Sequence, residues 1–223
     1  EGTITAVKGK VHLIGADEVS ISLNGNSLIE LTVKKGVLDA IVENKGALYA
    51  KGGEIYLTTN AVDELLKGVV NNTGIVEAQS FDDISGKIEL FAHGGTANVG
   101  GTLDASAPNS GDGGFIETSG DITKFTDDLK VTTLSKDGTN GKWLIDPKDF
   151  TIASSGGDMT GATLSSNLSG GDIEIQSTSG ATDGTGDINV NDDITWSSNT
   201  KLTLTATDEI YVNAVIENTN STE

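Results

Sequence analysis

Three pairs of adjacent aspartates, two histidines and one acidic run are the residues singled out first as able to do chemistry. The pairs are Asp82-Asp83, Asp127-Asp128 and Asp192-Asp193. Glycoside hydrolysis needs two carboxyl groups a few ångströms apart, and elimination needs a base beside the acids that hold the substrate. Neighbours along a strand point to opposite faces, so an adjacent pair is not by itself an acid–base dyad. His12 lies between Val11 and Leu13 on the outward parity of a strand, and His93 precedes Gly94-Gly95, where a turn is expected. Two scattered histidines make no metal site, and no serine sits in a nucleophile-elbow pattern. All 14 basic residues are lysine, so there is no arginine to clamp an anionic substrate. No catalytic, cofactor-binding or metal-binding residue is assigned, no cofactor is expected, and the chain is not read as an enzyme.

The run Asp183-Gly184-Thr185-Gly186-Asp187-Ile188-Asn189-Val190-Asn191-Asp192-Asp193 is the best match to a calcium loop. Counted from Asp187, its sixth position is Asp192 where an EF-hand needs glycine, and its twelfth is Ser198 where glutamate is needed. A solvated acidic turn is expected instead. Trp143 and Trp196 could stack on sugars, yet each shares its parity with an apolar neighbour, Ile145 and Ile194, which favours the core. Acceptor triplets for sugar attachment begin at Asn71, Asn167 and Asn220. Chance alone predicts about three in this composition, so they carry no information.

Composition excludes whole classes of partner. The net charge is -19, which repels nucleic acid and anionic lipid. With no cysteine there is neither a disulfide scaffold nor a thiolate metal site. No apolar run approaches the ~18 residues of a membrane span, so no membrane insertion is expected. Glycine, at 29 of 223 residues, is about twice its usual ~7% share but lacks a three-residue period, which excludes collagen.

The glycines mark a repeat. Asn44-Lys45-Gly46-Ala47-Leu48-Tyr49-Ala50 leads to Gly52-Gly53-Glu54-Ile55-Tyr56-Leu57. Asn72-Thr73-Gly74-Ile75-Val76-Glu77-Ala78 leads to Gly86-Lys87-Ile88-Glu89-Leu90, and a third copy runs from Asn98 to Thr118. Each unit is a glycine corner, a short alternating strand ending in alanine, a second corner and a second strand. Strands this short cannot bury their apolar side chains alone, and stacking like strands from successive units closes a shared interior. The fold class expected is all-β: a right-handed parallel β-helix, a solenoid of about eight to eleven coils at roughly 20–28 residues each.

Two segments interrupt the pattern. Alternation on both sides of Asn24-Gly25-Asn26 predicts a small hairpin over 19–33. Residues 60–70 read as a short lateral helix, with Asn60 or Thr59 as cap and Asp63 and Glu64 in its first turn. Composition divides the chain into a regular section, 1–148, and an acidic, Ser/Thr/Gly-rich continuation, 149–223, which holds 12 acids against Lys201 alone.

Several phrases resemble filamentous-haemagglutinin-like exoproteins of bacterial two-partner secretion. They are Val69-Val70-Asn71-Asn72-Thr73-Gly74, Val99-Gly100-Gly101-Thr102-Leu103-Asp104-Ala105-Ser106-Ala107-Pro108, Gly113-Gly114-Phe115-Ile116-Glu117-Thr118-Ser119 and Gly141-Lys142-Trp143-Leu144-Ile145-Asp146-Pro147. The family marks the start of its secretion domain with Asn-Pro-Asn, which is absent here, so the resemblance implies a segment at or beyond the end of that domain. It further implies an adhesin, secreted or on the cell surface of a Gram-negative bacterium, exported by an outer-membrane two-partner-secretion transporter. Its ligand would be a host-cell or matrix component such as a glycan, and a monomer is expected. Two other functions fit the same scaffold: a polysaccharide-active β-helix enzyme, and a ligand-capture module using the hairpin and lateral helix.

Overall fold

A computed structural model of the chain describes residues 2–24, 28–35, 40–60, 68–81, 84–177 and 184–221. The first strands are β1 (Thr3–Thr5), β2 (Lys10–Gly15), β3 (Glu18–Asn24), β4 (Leu28–Lys35), β5 (Ile41–Asn44), β6 (Ala47–Tyr49) and β7 (Glu54–Asn60). Next come β8 (Val69–Asn72), β9 (Ile75–Glu77), β10 (Lys87–Val99), β11 (Thr102–Asp104), β12 (Phe115–Phe125), β13 (Lys130–Thr132), β14 (Lys142–Asp146) and β15 (Phe150–Ile152). After helix α1 (Gly161–Leu168) follow β16 (Asp172–Ser177), β17 (Ile188–Val190), β18 (Ile194–Trp196), β19 (Leu202–Ala206), β20 (Ile210–Val212) and β21 (Ile216–Asn218).

The protein is mostly β, built from parallel sheets that do not close into a barrel. A nine-stranded sheet runs β2-β7-β10-β12-β14-β16-β19, with β8 and then β5 added alongside β10. A five-stranded sheet runs β1-β6-β9-β11-β13, and smaller parallel sheets join β15-β17-β20 and β18-β21. The register repeats at a nearly constant step: Leu48 pairs with Val76, Val76 with Leu103 and Leu103 with Val131. In the large sheet Ile88 faces Ile116, which faces Trp143, at the same step. Side chains bonded between successive levels give its length, 28 positions from Asn44 to Asn72 and from Asn72 to Gly100, and 27 from Asn71 to Asn98. The longest path holds seven strands, fewer than the eight to eleven levels expected. Inserted segments lengthen the intervals from Val11 to Ile55 and from Ile55 to Ile88, which also pair level to level.

Alternation explains the core. Leu48, Val76, Leu103 and Val131 point inward from the five-stranded sheet, and Ile55, Ile88, Ile116, Trp143 and Ile173 from the large one, all buried. Each such side chain, sealed by the levels above and below, contributes about 1.5–3 kcal/mol of hydrophobic stabilisation. The Trp143 indole N–H is satisfied by donation to the Thr118 hydroxyl at 3.1 Å. At one corner the buried Asn44 donates to the Asn72 side-chain oxygen at 2.8 Å, and Asn72 donates to the Gly100 carbonyl at 2.8 Å. This amide ladder meets backbone groups that the corner removes from the sheets. Gly101 turns the chain from β10 into β11 at φ +71°, and a Cβ there would stand 2.3 Å from the Gly74 carbonyl oxygen.

The interruptions fall differently from expectation. Strands β3 and β4 pair antiparallel, Val19 opposite Val33 and Leu23 opposite Ile29, where the hairpin is predicted; its turn residues 25–27 lie outside the described residues. Of the helix expected over 60–70, residues 61–67 lie outside the described residues, and its two ends are strand, Asn60 closing β7 and Val69-Val70 opening β8. The helix that is described, α1, lies at 161–168, where glycine, serine and threonine masked it. Thr160 caps it, its hydroxyl accepting from the Thr163 N–H at 3.1 Å, and Leu164 and Leu168 bury one face. The large sheet passes through position 148 without a break, β12 pairing with β14 and β14 with β16.

Candidate functional site

The outer face of the nine-stranded sheet gathers the most chemistry-bearing side chains. Parallel register stacks equivalent positions into rows. One row reads Lys10, Glu54, Lys87, Phe115, Lys142, Asp172, and the next His12, Tyr56, Glu89, Glu117, Leu144, Glu174. Neighbours within a row are one strand spacing apart, ~4.8 Å. Opposite charges meet throughout: Lys10 Nζ lies 2.7 Å from Glu54 and Lys87 Nζ 2.8 Å from Glu89, while Lys142 reaches diagonally to Glu174. Aromatic groups interleave. The His12 and Tyr56 rings stack at 4.7 Å with 9° between their planes, and Lys87 Nζ stands 5.2 Å from the centre of the Tyr56 ring.

Glu89 and Glu117 break the alternation of charge, because two carboxylates occupy one row on adjacent strands. Burial pushes the Glu117 carboxyl above its usual range; the charges of Glu89 and Asp146 add to that, against a hydrogen bond from Ser119 and the charge of Lys87. The Ser119 hydroxyl donates to Glu117 at 2.8 Å. Glu54 moves the other way: burial raises it, but hydrogen bonds from Lys10 and Tyr56 and the charges of Lys10 and Lys87 outweigh burial and hold it low. The Lys142 hydrogen bond, with one from Gln176, holds Glu174 low as well. For His12, burial and Lys10 depress the imidazole against the pull of Glu54 and Glu89, and its buried Nε2 has no partner. The site thus contains one carboxyl, Glu117, disposed to keep its proton, one strand spacing from a second acidic side chain, Glu89.

A second carboxylate pair lies on the five-stranded sheet, where Glu77 and Asp104 share a register level. Burial and the Asp104 charge raise Glu77, and Lys51 opposes them. Neither pair is visible as a local motif, since its two members lie one full repeat apart in the chain; only the repeat length aligns them.

The residues that sequence reading singled out are dispersed. Asp127 accepts from the Thr160 and Thr163 hydroxyls at the start of α1, whereas Asp128 accepts from Thr126. Asp192 accepts from the Gly161 N–H and Asp193 from the Val215 N–H, so these adjacent acids serve different neighbours. Asp82-Asp83 and Asp183 lie outside the described residues. In the 183–193 run the N–H groups of Thr185, Gly186 and Asp187 all donate to Asp149, whose carboxyl they hold low against its burial. That loop binds a carboxylate with its donors, the reverse of a calcium loop, which converges oxygens. His93 stands inside β10 beside its irregularity, with its ring 3.8 Å from Phe91, rather than in a separate turn. Trp143 is buried and Trp196 half-buried, its indole donating to the Thr200 carbonyl at 3.0 Å. Asn167 is buried in three side-chain hydrogen bonds and is closed to sugar attachment. Among the described residues no three or more His, Asp or Glu side chains converge as a metal centre, and no helix is long and apolar enough to cross a membrane. No known protein family, curated protein or solved structure matches the chain.

Proposed function

We propose that the chain is a rigid segment of right-handed parallel β-helix belonging to a secreted or surface-exposed bacterial adhesin, serving as stalk or binding surface in attachment. The observation that carries this reading is the parallel register that recurs at one nearly constant sequence step in both main sheets. A chain that returns to the same sheet after each interval, always in the same direction, traces coils. The right hand follows from the strong preference of parallel crossovers. Stiffness would come from ladders in which each level pairs with the levels above and below. The secreted address and the outer-membrane two-partner-secretion transporter rest on the sequence resemblance alone. Immobilised chain screened against glycans, host matrix proteins and cultured cells tests the adhesive role. Saturable binding to one class is expected, and no binding to any would overturn the binding-surface form of the proposal.

One observation favours a second reading, a polysaccharide-active enzyme on the same scaffold: Glu117 held above the usual carboxylate range beside Glu89. Release of reducing ends or unsaturated products from a polysaccharide panel, abolished by Glu117→Gln, would establish it. Full turnover by Glu117→Gln would exclude this pair.

A further inference from the structure

The contacts around the 183–193 run form a chain across three levels of the stack. Phe150, Ile188 and Ile210 pair in register, so Asp149, Asp187 and Glu209, each one residue earlier, hold equivalent corner positions. Asp149 Oδ1 accepts the N–H groups of Thr185, Gly186 and Asp187 at 2.9, 2.7 and 3.1 Å. Gly186 brings its N–H to that oxygen at φ +87°, a backbone setting that suits glycine. One level on, Asp187 repeats the contact, one oxygen accepting the Glu209 N–H at 3.1 Å. The Thr185 hydroxyl bridges the two acids, 2.6 Å from the other Asp187 oxygen and 3.1 Å from Asp149. Each carboxylate thus fastens the corner of the next level to its own.

Earlier corners are joined by a different chemistry. Asn44, Asn72 and Gly100 are linked through amides and a carbonyl, which do not titrate. A carboxylate accepts at full strength only when ionised, and protonation turns one of its acceptors into a donor. Among the described residues, Asp149 has Asp187 ahead of it and Lys148 beside it, whose ammonium lies 2.9 Å from Asp121. Asp187 faces Asp149, Asp208, Glu209 and Tyr211. Burial raises the Asp149 carboxyl, but the N–H groups of Asp187, Gly186 and Thr185 and the Thr185 hydroxyl outweigh it and hold it low. Its stabilisation is complete above the ordinary aspartate pKa of about 3.9 and is lost as pH falls through the folded value. Burial raises Glu77 and Glu117 on earlier levels, so their contribution is present in acid instead.

We propose that Asp149 and Asp187 form an acid-released clasp, in which protonation frees the corners ahead of β17 and β20 while the levels of β10 and β12 stay closed. The device is built from contacts inside the stack. It stands on the hydrogen bonds between levels and is independent of the adhesin reading.

Hydrogen exchange of the whole chain at pH 7 and pH 3, read peptide by peptide and corrected for intrinsic rates, tests it. Peptides covering 184–190 and 209–213 are expected to lose protection in acid, while those covering 86–92 and 115–119 keep theirs. Asp149→Asn retains an acceptor oxygen but has no proton to titrate, so its 184–190 peptides should be equally protected at both pH values. Asp187→Asn should have that effect on 209–213. If circular dichroism shows that either variant has lost its strand signal, the wild-type profile decides alone. Corner peptides that stay protected in acid, or a loss that spreads equally to 86–92 and 115–119, would overturn the proposal. So would a folded Asp149→Asn chain that opens in acid as the wild type does.

Discussion

Glu117 is a side chain whose protonation couples to folding. Its folded carboxyl is raised, by burial first and then by Glu89 and Asp146, so the folded state holds the proton more tightly than the unfolded state does. That contribution is fully present below the ordinary carboxylate pKa of about 4.3 and is lost as pH rises through the folded value. Glu117→Gln should therefore raise the melting temperature at pH 7 and leave it nearly unchanged near pH 3. Thermal unfolding across that range checks this, and an equal effect at both pH values would contradict it. Glu54, Glu174 and Asp149 are held low, so their stabilisation is present at neutral pH and lost as pH falls through their folded values. Sequence alternation made His12 legible as an outward residue. It could not make Glu89 and Glu117 legible as neighbours, because that contact exists only once the register of the repeat is imposed.

Among the elements, the strands were readable and the helix was not. Ile88-Glu89-Leu90 and Ile173-Glu174-Ile175 announce a period of two, and glycines bracket them. The α1 segment, Gly-Ala-Thr-Leu-Ser-Ser-Asn-Leu, lacks strong helix formers beyond one alanine and two leucines, and its stability comes from what it covers. Asn167 is the clearest instance, its amide standing in for a neighbouring strand against β13. Asn167→Ala leaves the Val131 N–H and Leu129 carbonyl unpaired, at roughly 1–3 kcal/mol for each buried group. Urea unfolding should show a loss within that range or above it, and a loss under half a kilocalorie would contradict the assigned role. At the corners, Gly101→Ala imposes a left-handed φ on an L-residue, costing about 1–2 kcal/mol. Its new methyl would also meet the Gly74 carbonyl oxygen. The same unfolding assay should place it among the more damaging single-methyl additions, well beyond Gly156→Ala, where a Cβ meets open space at a similar φ.

For the whole molecule the central claim is one continuous parallel stack in which each added strand lies one strand spacing further along, whatever the length of chain between them. The chain has no cysteine, so two engineered ones carry two spin labels without background. Lys10, Lys142 and Asp172 share one outward row, with Lys142 four strands and Asp172 five strands from Lys10. At ~4.8 Å per strand, those separations are about 19 Å and about 24 Å between backbones. The most direct measurement is electron–electron dipolar spectroscopy on Lys10→Cys/Lys142→Cys and Lys10→Cys/Asp172→Cys chains, each diluted in unlabelled protein to silence contacts between copies. The account predicts narrow distributions whose centres differ by one strand spacing, with the Asp172 pair the longer. Equal centres, a reversed order, or broad distributions for both pairs would contradict it.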